Sequence, residues 1–265
     1  MSEVSIGKYV FGNGNPKICI PVMGHTKNEI LRHAREVMDE CERLDEQYAD
    51  YPELSVAVIE WRADFFDDLG DSEALLDTLS ALREMFSDRL LLFTFRTEEE
   101  GGELRHDRIG SHLGSLYEEV AKSGLIDLLD IEVSRGNYIV ARATKIAHDN
   151  GVNVIMSYHN FQKTPHDLEL ETKLRNMEIL GADILKIAVM PKNEFDTRRV
   201  MDLNKSMAEK CFKPVVIISM GAIGMPSRFK GHETTACLTF ASVSGGSAPG
   251  QLEVADLVAL LKNQM

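Results

Sequence analysis

The sequence predicts an α/β protein, a (β/α)8 barrel entered through an N-terminal β-hairpin. Three observations carry this. Apolar, strand-like runs alternate with amphipathic helical patterns eight times after residue 17, which argues for a parallel sheet. One of those runs, the one around Lys186, is otherwise apolar on both faces, as strands are when helices cover a sheet and its other side is also buried. The chain has 265 residues, a length that one such barrel takes as a single domain. No composition shift or linker divides it, so residues 1–265 are read as one domain.

Val4 to Phe11 reads as a strand. Gly12-Asn13-Gly14-Asn15-Pro16 follows with strong turn chemistry, so this run and the next, Lys17 to Val22, are expected to form the hairpin. From Lys17 the βα rhythm sets in. Thr26, with Glu29 three residues on, is a capping box for a helix running to about Leu44. Strands follow at Val56–Trp61, Leu90–Phe95, Leu128–Val133, Val152–Tyr158, Ile184–Val189, Val215–Ser219 and Leu238–Ala241. Helices are expected between them at Asp71–Phe86, Asp107–Ser123, Gly136–Asn150, Pro165–Leu180 and Glu194–Cys211. A short one is expected around Met225–Gly231, and a last one at Leu252–Lys262.

Composition narrows the function. The chain is 44% hydrophobic and 27% charged, with a formal net charge of -13. That charge disfavours a nucleic-acid or anionic-membrane surface. No apolar run approaches membrane-spanning length. Met-Ser-Glu-Val-Ser-Ile-Gly lacks a basic segment followed by an apolar one, so no signal peptide is expected. Cys19, Cys41, Cys211 and Cys237 form no CxxC pair and no zinc spacing, which suits reduced thiols in the cytoplasm. There is no Walker A, dinucleotide or HExxH motif, and no evident metal set, so neither metal nor nucleotide cofactor is expected.

One stretch, Gly181-Ala182-Asp183-Ile184-Leu185-Lys186-Ile187-Ala188-Val189-Met190, organises the rest. It reads as a buried strand with Lys186 in its middle. A lysine is rarely fully buried unless paired or functional. Desolvation disfavours the ammonium form, and a buried neutral amine is what an imine with a carbonyl substrate requires. The plainer reading is a buried stem whose charged head escapes at the strand end.

Barrel chemistry gathers at the C-terminal strand ends. There the sequence places Glu60, Arg62 and Asp64; Arg96, with Glu98 to Glu103 after it; Asp130 and Glu132; Ser157, His159 and Asn160; and Ser219-Met220-Gly221. His159 lies on the strand before Lys186, where it can act as general acid and base beside an imine-forming amine. Glu100 and Glu132 are candidates to orient the histidine or to pair with the lysine or the arginines. Arg62, Arg96 and Arg228 come from three strand ends and suit a carboxylate substrate; the alternative is three separate structural ion pairs. The Gly/Ser-rich run Ser244 to Gln251 is either a lid carrying Ser247 and Gln251 onto a polyol substrate or a merely flexible loop.

Taken together, Glu60-x-Arg62-x-Asp64, Arg96-x3-Glu100-Gly101-Gly102, Ser157-x-His159-x-Phe161, Lys186-Ile187-Ala188 and Ser247-Ala248-Pro249-Gly250-Gln251 resemble the type I 3-dehydroquinate dehydratases, over nearly the whole chain. The resemblance implies a hydro-lyase of the shikimate pathway, serving aromatic amino acid biosynthesis. It implies a cytoplasmic homodimer that uses no cofactor. Lys186 would form a Schiff base with 3-dehydroquinate, His159 would move the protons, and Glu100 would support His159. Glu60, Arg62, Arg96, Arg228, Ser247 and Gln251 match substrate-binding positions, and Met220 an apolar pocket residue. Pro21 departs from the pattern, because some relatives carry a polar, substrate-reaching residue at the end of strand 1. Two other readings stand beside this one. A class I aldolase-type lyase also uses a barrel-strand lysine, and a catalytically silent barrel could serve as a binding module.

Overall fold

The computed structural model describes residues 2–103, 112–230 and 235–264. Eight parallel strands run in chain order around the sheet: β3 (Lys17–Val22), β4 (Val56–Arg62), β5 (Leu90–Thr94), β6 (Leu128–Glu132), β7 (Asn153–Asn160), β8 (Ile184–Val189), β9 (Val215–Ser219) and β10 (Leu238–Ser242). β10 returns to pair with β3 through Leu238 opposite Lys17 and Phe240 opposite Cys19. Cys237 sews the seam: its amide donates to the Val215 carbonyl at 3.0 Å, and its carbonyl accepts from the Lys17 amide at 3.0 Å. This is the expected (β/α)8 barrel.

Helices α1 (Lys27–Gln47), α2 (Ser72–Met85), α3 (Leu113–Lys122), α4 (Asn137–Asp149), α5 (Asp167–Ile179) and α6 (Glu194–Lys210) connect the strands from β3 to β9. Two one-turn helices, α7 (Gly221–Gly224) and α8 (Pro226–Phe229), follow β9, and α9 (Val254–Lys262) closes the described chain. The capping box at α1 is present: the Glu29 amide donates to Thr26 Oγ1, and the Thr26 amide to Glu29 Oε2. The expected helix from Asp107 is described only from Leu113, since residues 104–111 lie outside the described set; so does Gly231, at the end of the expected Met225–Gly231 helix. No described helix is long and apolar enough to cross a membrane.

The hairpin differs from its expected position. The run 4–11 folds on itself: β1 (Val4–Ile6) pairs antiparallel with β2 (Tyr9–Phe11), Val4 opposite Phe11. Gly7, at φ +54°, takes the left-handed conformation that lets so short a segment reverse. Lys17–Val22 is not its partner, because both edges of that strand are taken, by β4 and β10. A short strand β11 (Leu252–Glu253), pairing parallel with β10, was not expected.

The period of two sorts each strand's side chains into two cores. One lies between sheet and helices and includes Ile18, Ile59, Trp61, Leu185 and Ile187. The other fills the barrel with Cys19, Val58, Leu92, Leu128, Ile155, Ile184, Val216 and Leu238, and the hairpin inserts Ile6 and Phe11 into it. The interior is therefore apolar toward the N-terminal strand ends. Inward positions further along the same strands are polar, and that change of polarity is what creates the site.

Candidate active site

Along β6, β7 and β8 the register sets Glu132, Ser157 and Lys186 side by side. Asp130, two residues before Glu132, shares its face, and His159, two after Ser157, shares that one. β7 runs to Asn160, beyond its expected end at Tyr158, so His159 sits on rigid strand opposite Ala188. β4 adds Glu60 and Arg62. Of these, Lys186, His159, Glu60 and Arg62 open into a cleft enclosing about 480 Å³ of space, its mouth included. The ten residues that the resemblance matched to catalytic and substrate-binding positions all line it: Lys186, His159, Glu100, Glu60, Arg62, Arg96, Arg228, Ser247, Gln251 and Met220. β3, with Pro21, contributes nothing to its wall.

Lys186 is buried, with its ammonium 3.3 Å from Asp130 Oδ2 and 4.5 Å from the centre of the Phe240 ring. The head does not escape to solvent; it stays at the floor of the cleft. His159 is held twice by one carboxylate oxygen. Its backbone amide and its Nδ1 each lie 2.9 Å from Glu100 Oε2. With Nδ1–H donating to Glu100, the Nε2 lone pair is left for the cleft. Burial holds the His159 imidazole well below its ordinary range, helped by the charges of Arg96, Lys186 and Arg62, so the ring is neutral near pH 7. Burial and the neighbouring Glu132 push Glu100 up to about 7, against the opposing pull of Arg96 and of hydrogen bonds from Ser134 and the His159 amide.

The three arginines, grouped together by sequence, have different surroundings. Arg62 grips Asp64 with both arms, Nε and Nη2 each 2.8 Å from a carboxylate oxygen. Arg96 lies 2.9 Å from Asp130 and 3.1 Å from Glu132 and donates to Ser157 Oγ at 2.9 Å. Burial alone would weaken its charge, but the acids around it raise its affinity for the proton instead. Among the described residues Arg228 faces no such acid. Nη2 donates to the Pro249 carbonyl at 3.0 Å, Nε is buried without a partner, and burial pulls the guanidinium down to about 10. Two arginines are thus saturated by the protein, and the third is short of an anion.

The Ser244–Gln251 run is tied over the cleft. The Arg62 guanidinium reaches the Ser247 carbonyl, and the Pro249 carbonyl also accepts from the Gly221 amide at 3.0 Å. Gln251 Oε1 accepts from the Ser247 amide at 2.7 Å, while its Nε2 donates to Ser247 Oγ at 3.1 Å. Beneath it, Glu60 Oε1 accepts from Thr94 at 2.8 Å.

Two acids have sharper positions than the sequence conveyed. Glu132, a candidate for the histidine or the lysine, is absorbed by Arg96, Arg135 and both polar groups of Thr97. Asp130, which the sequence left without a role, is the lysine's partner. Its signal was its place on one face with Glu132, with only β7 between its strand and that of Lys186.

Comparison with known proteins agrees with this geometry. Residues 18–264 match the family model described as type I 3-dehydroquinase. The chain is 36% identical to the 3-dehydroquinate dehydratase of Clostridioides difficile, over 98% of this chain and 96% of that protein. A crystal structure of the type I 3-dehydroquinate dehydratase from Clostridium difficile with covalent modified comenic acid superposes with a TM-score of 0.88 at 34% identity, covering 100% of this chain and 98% of that one. The 3-dehydroquinate dehydratase structure from Geobacillus kaustophilus gives a TM-score of 0.90 at 30% identity, over 99% and 96%. The family match spans the barrel and every residue of the cleft: the chain belongs to the type I 3-dehydroquinase family.

Proposed function

We propose that this chain dehydrates 3-dehydroquinate to 3-dehydroshikimate in the shikimate pathway, by way of an imine on Lys186. The observation that carries the reading is a buried amine sharing one cleft with a neutral histidine whose Nδ1 is fixed by a carboxylate. Lys186 Nζ adds to the ketone carbon, and the ketone oxygen leaves as water, giving an iminium. The iminium draws electrons from the adjacent carbon, and His159 Nε2 removes the proton there. The electron pair left behind forms the new double bond as the carbon–oxygen bond of the β-hydroxyl breaks. His159 returns its proton to that oxygen, so a second water departs. Hydrolysis then restores the amine. Glu100 holds the imidazole in the tautomer that leaves Nε2 free. A positioned acid–base group of this kind is worth about 10²–10⁴-fold.

Substrate binding follows from the unsatisfied groups. Arg228, buried without an acid, takes the substrate carboxylate in two hydrogen bonds. Glu60 keeps one oxygen on Thr94 and offers the other to a ring hydroxyl. Ser247 and Gln251 exchange their mutual hydrogen bonds for substrate hydroxyls, and Met220 packs on the ring. Arg62 and Arg96 shape the cleft chiefly by fixing Asp64, Asp130 and Glu132. The enzyme works as a homodimer in the cytoplasm; light scattering behind a sizing column reads the assembly, and a monomeric mass ends that part of the reading.

The test is borohydride reduction in the presence of 3-dehydroquinate, followed by intact and peptide mass spectrometry. One ligand-sized adduct on the Lys186 peptide is expected, and none in Lys186→Ala. Lys186→Ala loses nearly all turnover while keeping its fold, as read by circular dichroism. Folded wild-type protein that takes up no adduct at saturating substrate removes the imine.

A further inference from the structure

Within this imine chemistry, we propose that Asp130 is a catalytic residue: the fixed counter-ion of the Lys186 nitrogen, paired with its positive charge both before and after the iminium forms. The two acids the sequence put forward are engaged elsewhere, Glu100 with His159 and Glu132 with Arg96 and Thr97. Asp130 is fully buried, and its Oδ2 is 3.3 Å from Lys186 Nζ. Its other oxygen is pinned by the Ser157 hydroxyl at 2.6 Å and by Arg96 Nη2 at 2.9 Å. A carboxylate with one oxygen fastened by Ser157 of β7 and by Arg96 just after β5, and the other on the reacting nitrogen, is held in place beside it.

The charge balance explains why one fixed anion suffices. An ammonium and a ketone give an iminium and water. Two hydrogens leave the nitrogen with the oxygen, one stays, and a single positive charge rests on nitrogen at both ends of the step. The nitrogen is neutral only in the free amine and the tetrahedral adduct between them. A preorganised anion at that distance lowers the two cationic states together and needs no rearrangement when water departs. Burial acts to raise the Asp130 carboxyl, but Arg96 first, then Lys186 and Ser157, hold it below its usual range, so it stays an anion and is a poor base. The proton that must leave the ammonium before attack passes to the neutral His159, or more slowly to solvent when that histidine is replaced, and not to Asp130. Phe240 covers the other approach to the nitrogen. Besides Asp130, the titratable groups whose charges bear on this corner are His159, Arg96, Glu60 and the buried Cys19.

The experiment compares wild type, Asp130→Asn and Asp130→Glu in borohydride trapping with 3-dehydroquinate and in steady-state turnover. Asp130→Asn keeps shape and loses charge. It is expected to fold, to lower kcat and the trapping rate by about 100-fold, and to change KM much less. Asp130→Glu recovers part of both. Trapping and kcat within threefold of wild type in a folded Asp130→Asn overturn the proposal. A second measurement needs no variant at this position. The conjugated product, bound as an imine in His159→Ala, absorbs at longer wavelength when protonated. That band is expected to persist well above neutrality, since a paired charge resists losing its proton. A band that titrates away near neutrality overturns the proposal even if Asp130→Asn does not fold. Wild type that traps no adduct on Lys186 is a different failure, that of the imine itself.

Discussion

At the scale of single residues, the site is a set of buried charges whose partners decide their work. His159 and Glu100 form one unit, and their opposite shifts fix the acid side of the pH profile. The working form pairs a Glu100 carboxylate with a neutral imidazole. His159, lowered by burial, keeps its ring neutral well into the acid range. Glu100, raised to about 7, gains a proton as pH falls through that value and then loses the negative charge that stabilises the imidazolium formed when His159 takes a proton. The expected kcat/KM is level above neutrality and declines about tenfold per unit below about pH 7. Glu100→Gln should cut kcat and abolish that decline; a Glu100→Gln profile that still bends near pH 7 assigns the limb to another group. His159→Ala makes the complementary point. Turnover should collapse while substrate adduct still accumulates on Lys186, which mass spectrometry after reduction reads directly. Normal turnover in His159→Ala removes the base.

Elements turn these residues toward each other, and one loop shows how tightly. After β5 the chain makes a single turn over Glu98–Glu100, and Gly101 follows at φ +88°. A side chain on Gly101 would meet the Phe161 ring at 2.4 Å, and one on Gly102 would sit 1.9 Å from the Arg96 carbonyl oxygen. The Gly-Gly pair is what lets Glu100 swing back onto His159. Gly101→Ala must bear about 1–2 kcal/mol of left-handed strain in addition to the collision with Phe161. Both Gly101→Ala and Gly102→Ala should lower Tm, and both should lower kcat/KM by about 10²-fold through a displaced Glu100. A variant that melts earlier yet keeps wild-type kcat/KM separates the loop from catalysis. This loop also shows what a sequence conveys. Glu-Gly-Gly was legible as a motif, and Thr26 with Glu29 as a cap, because local chemistry alone sets them. The eight strands were legible from periodicity. Asp130's partner was not, because choosing among Asp130, Glu132 and Glu100 for one lysine needs the register across three strands. Nor could periodicity sort Arg62, Arg96 and Arg228, whose roles depend on which acids reach them. The hairpin was displaced because Gly12-Asn13-Gly14 is the stronger turn signal, while the edges of Lys17–Val22 were already claimed by strands distant in sequence.

For the whole molecule, the barrel is polar at one end and sealed with apolar side chains at the other, and the seal comes from outside the βα repeat. Ile6 and Phe11 of the hairpin pack with Leu90, Leu128 and Cys237, and Phe11 is fully buried. Leu92, Ile155, Ile184 and Val216 belong to the same buried apolar cluster as this plug. The plug should therefore govern stability and leave chemistry alone. Phe11→Ala is expected to cost about 3–5 kcal/mol, the usual range for a large ring lost from a packed core. Its kcat, measured well below its melting temperature, should equal that of wild type. The same variant tests our proposal that residues 1–265 are one domain. Trp61 is the chain's single tryptophan and is fully buried on β4, in the layer between sheet and helices. It lies outside the core that the hairpin plugs. If the two cores unfold together, Trp61 fluorescence and far-ultraviolet circular dichroism give coincident urea transitions, and Phe11→Ala moves both midpoints by the same amount. If Phe11→Ala lowers only part of the dichroism signal and leaves the Trp61 midpoint in place, the hairpin and barrel floor are a unit of their own, and the one-domain reading fails.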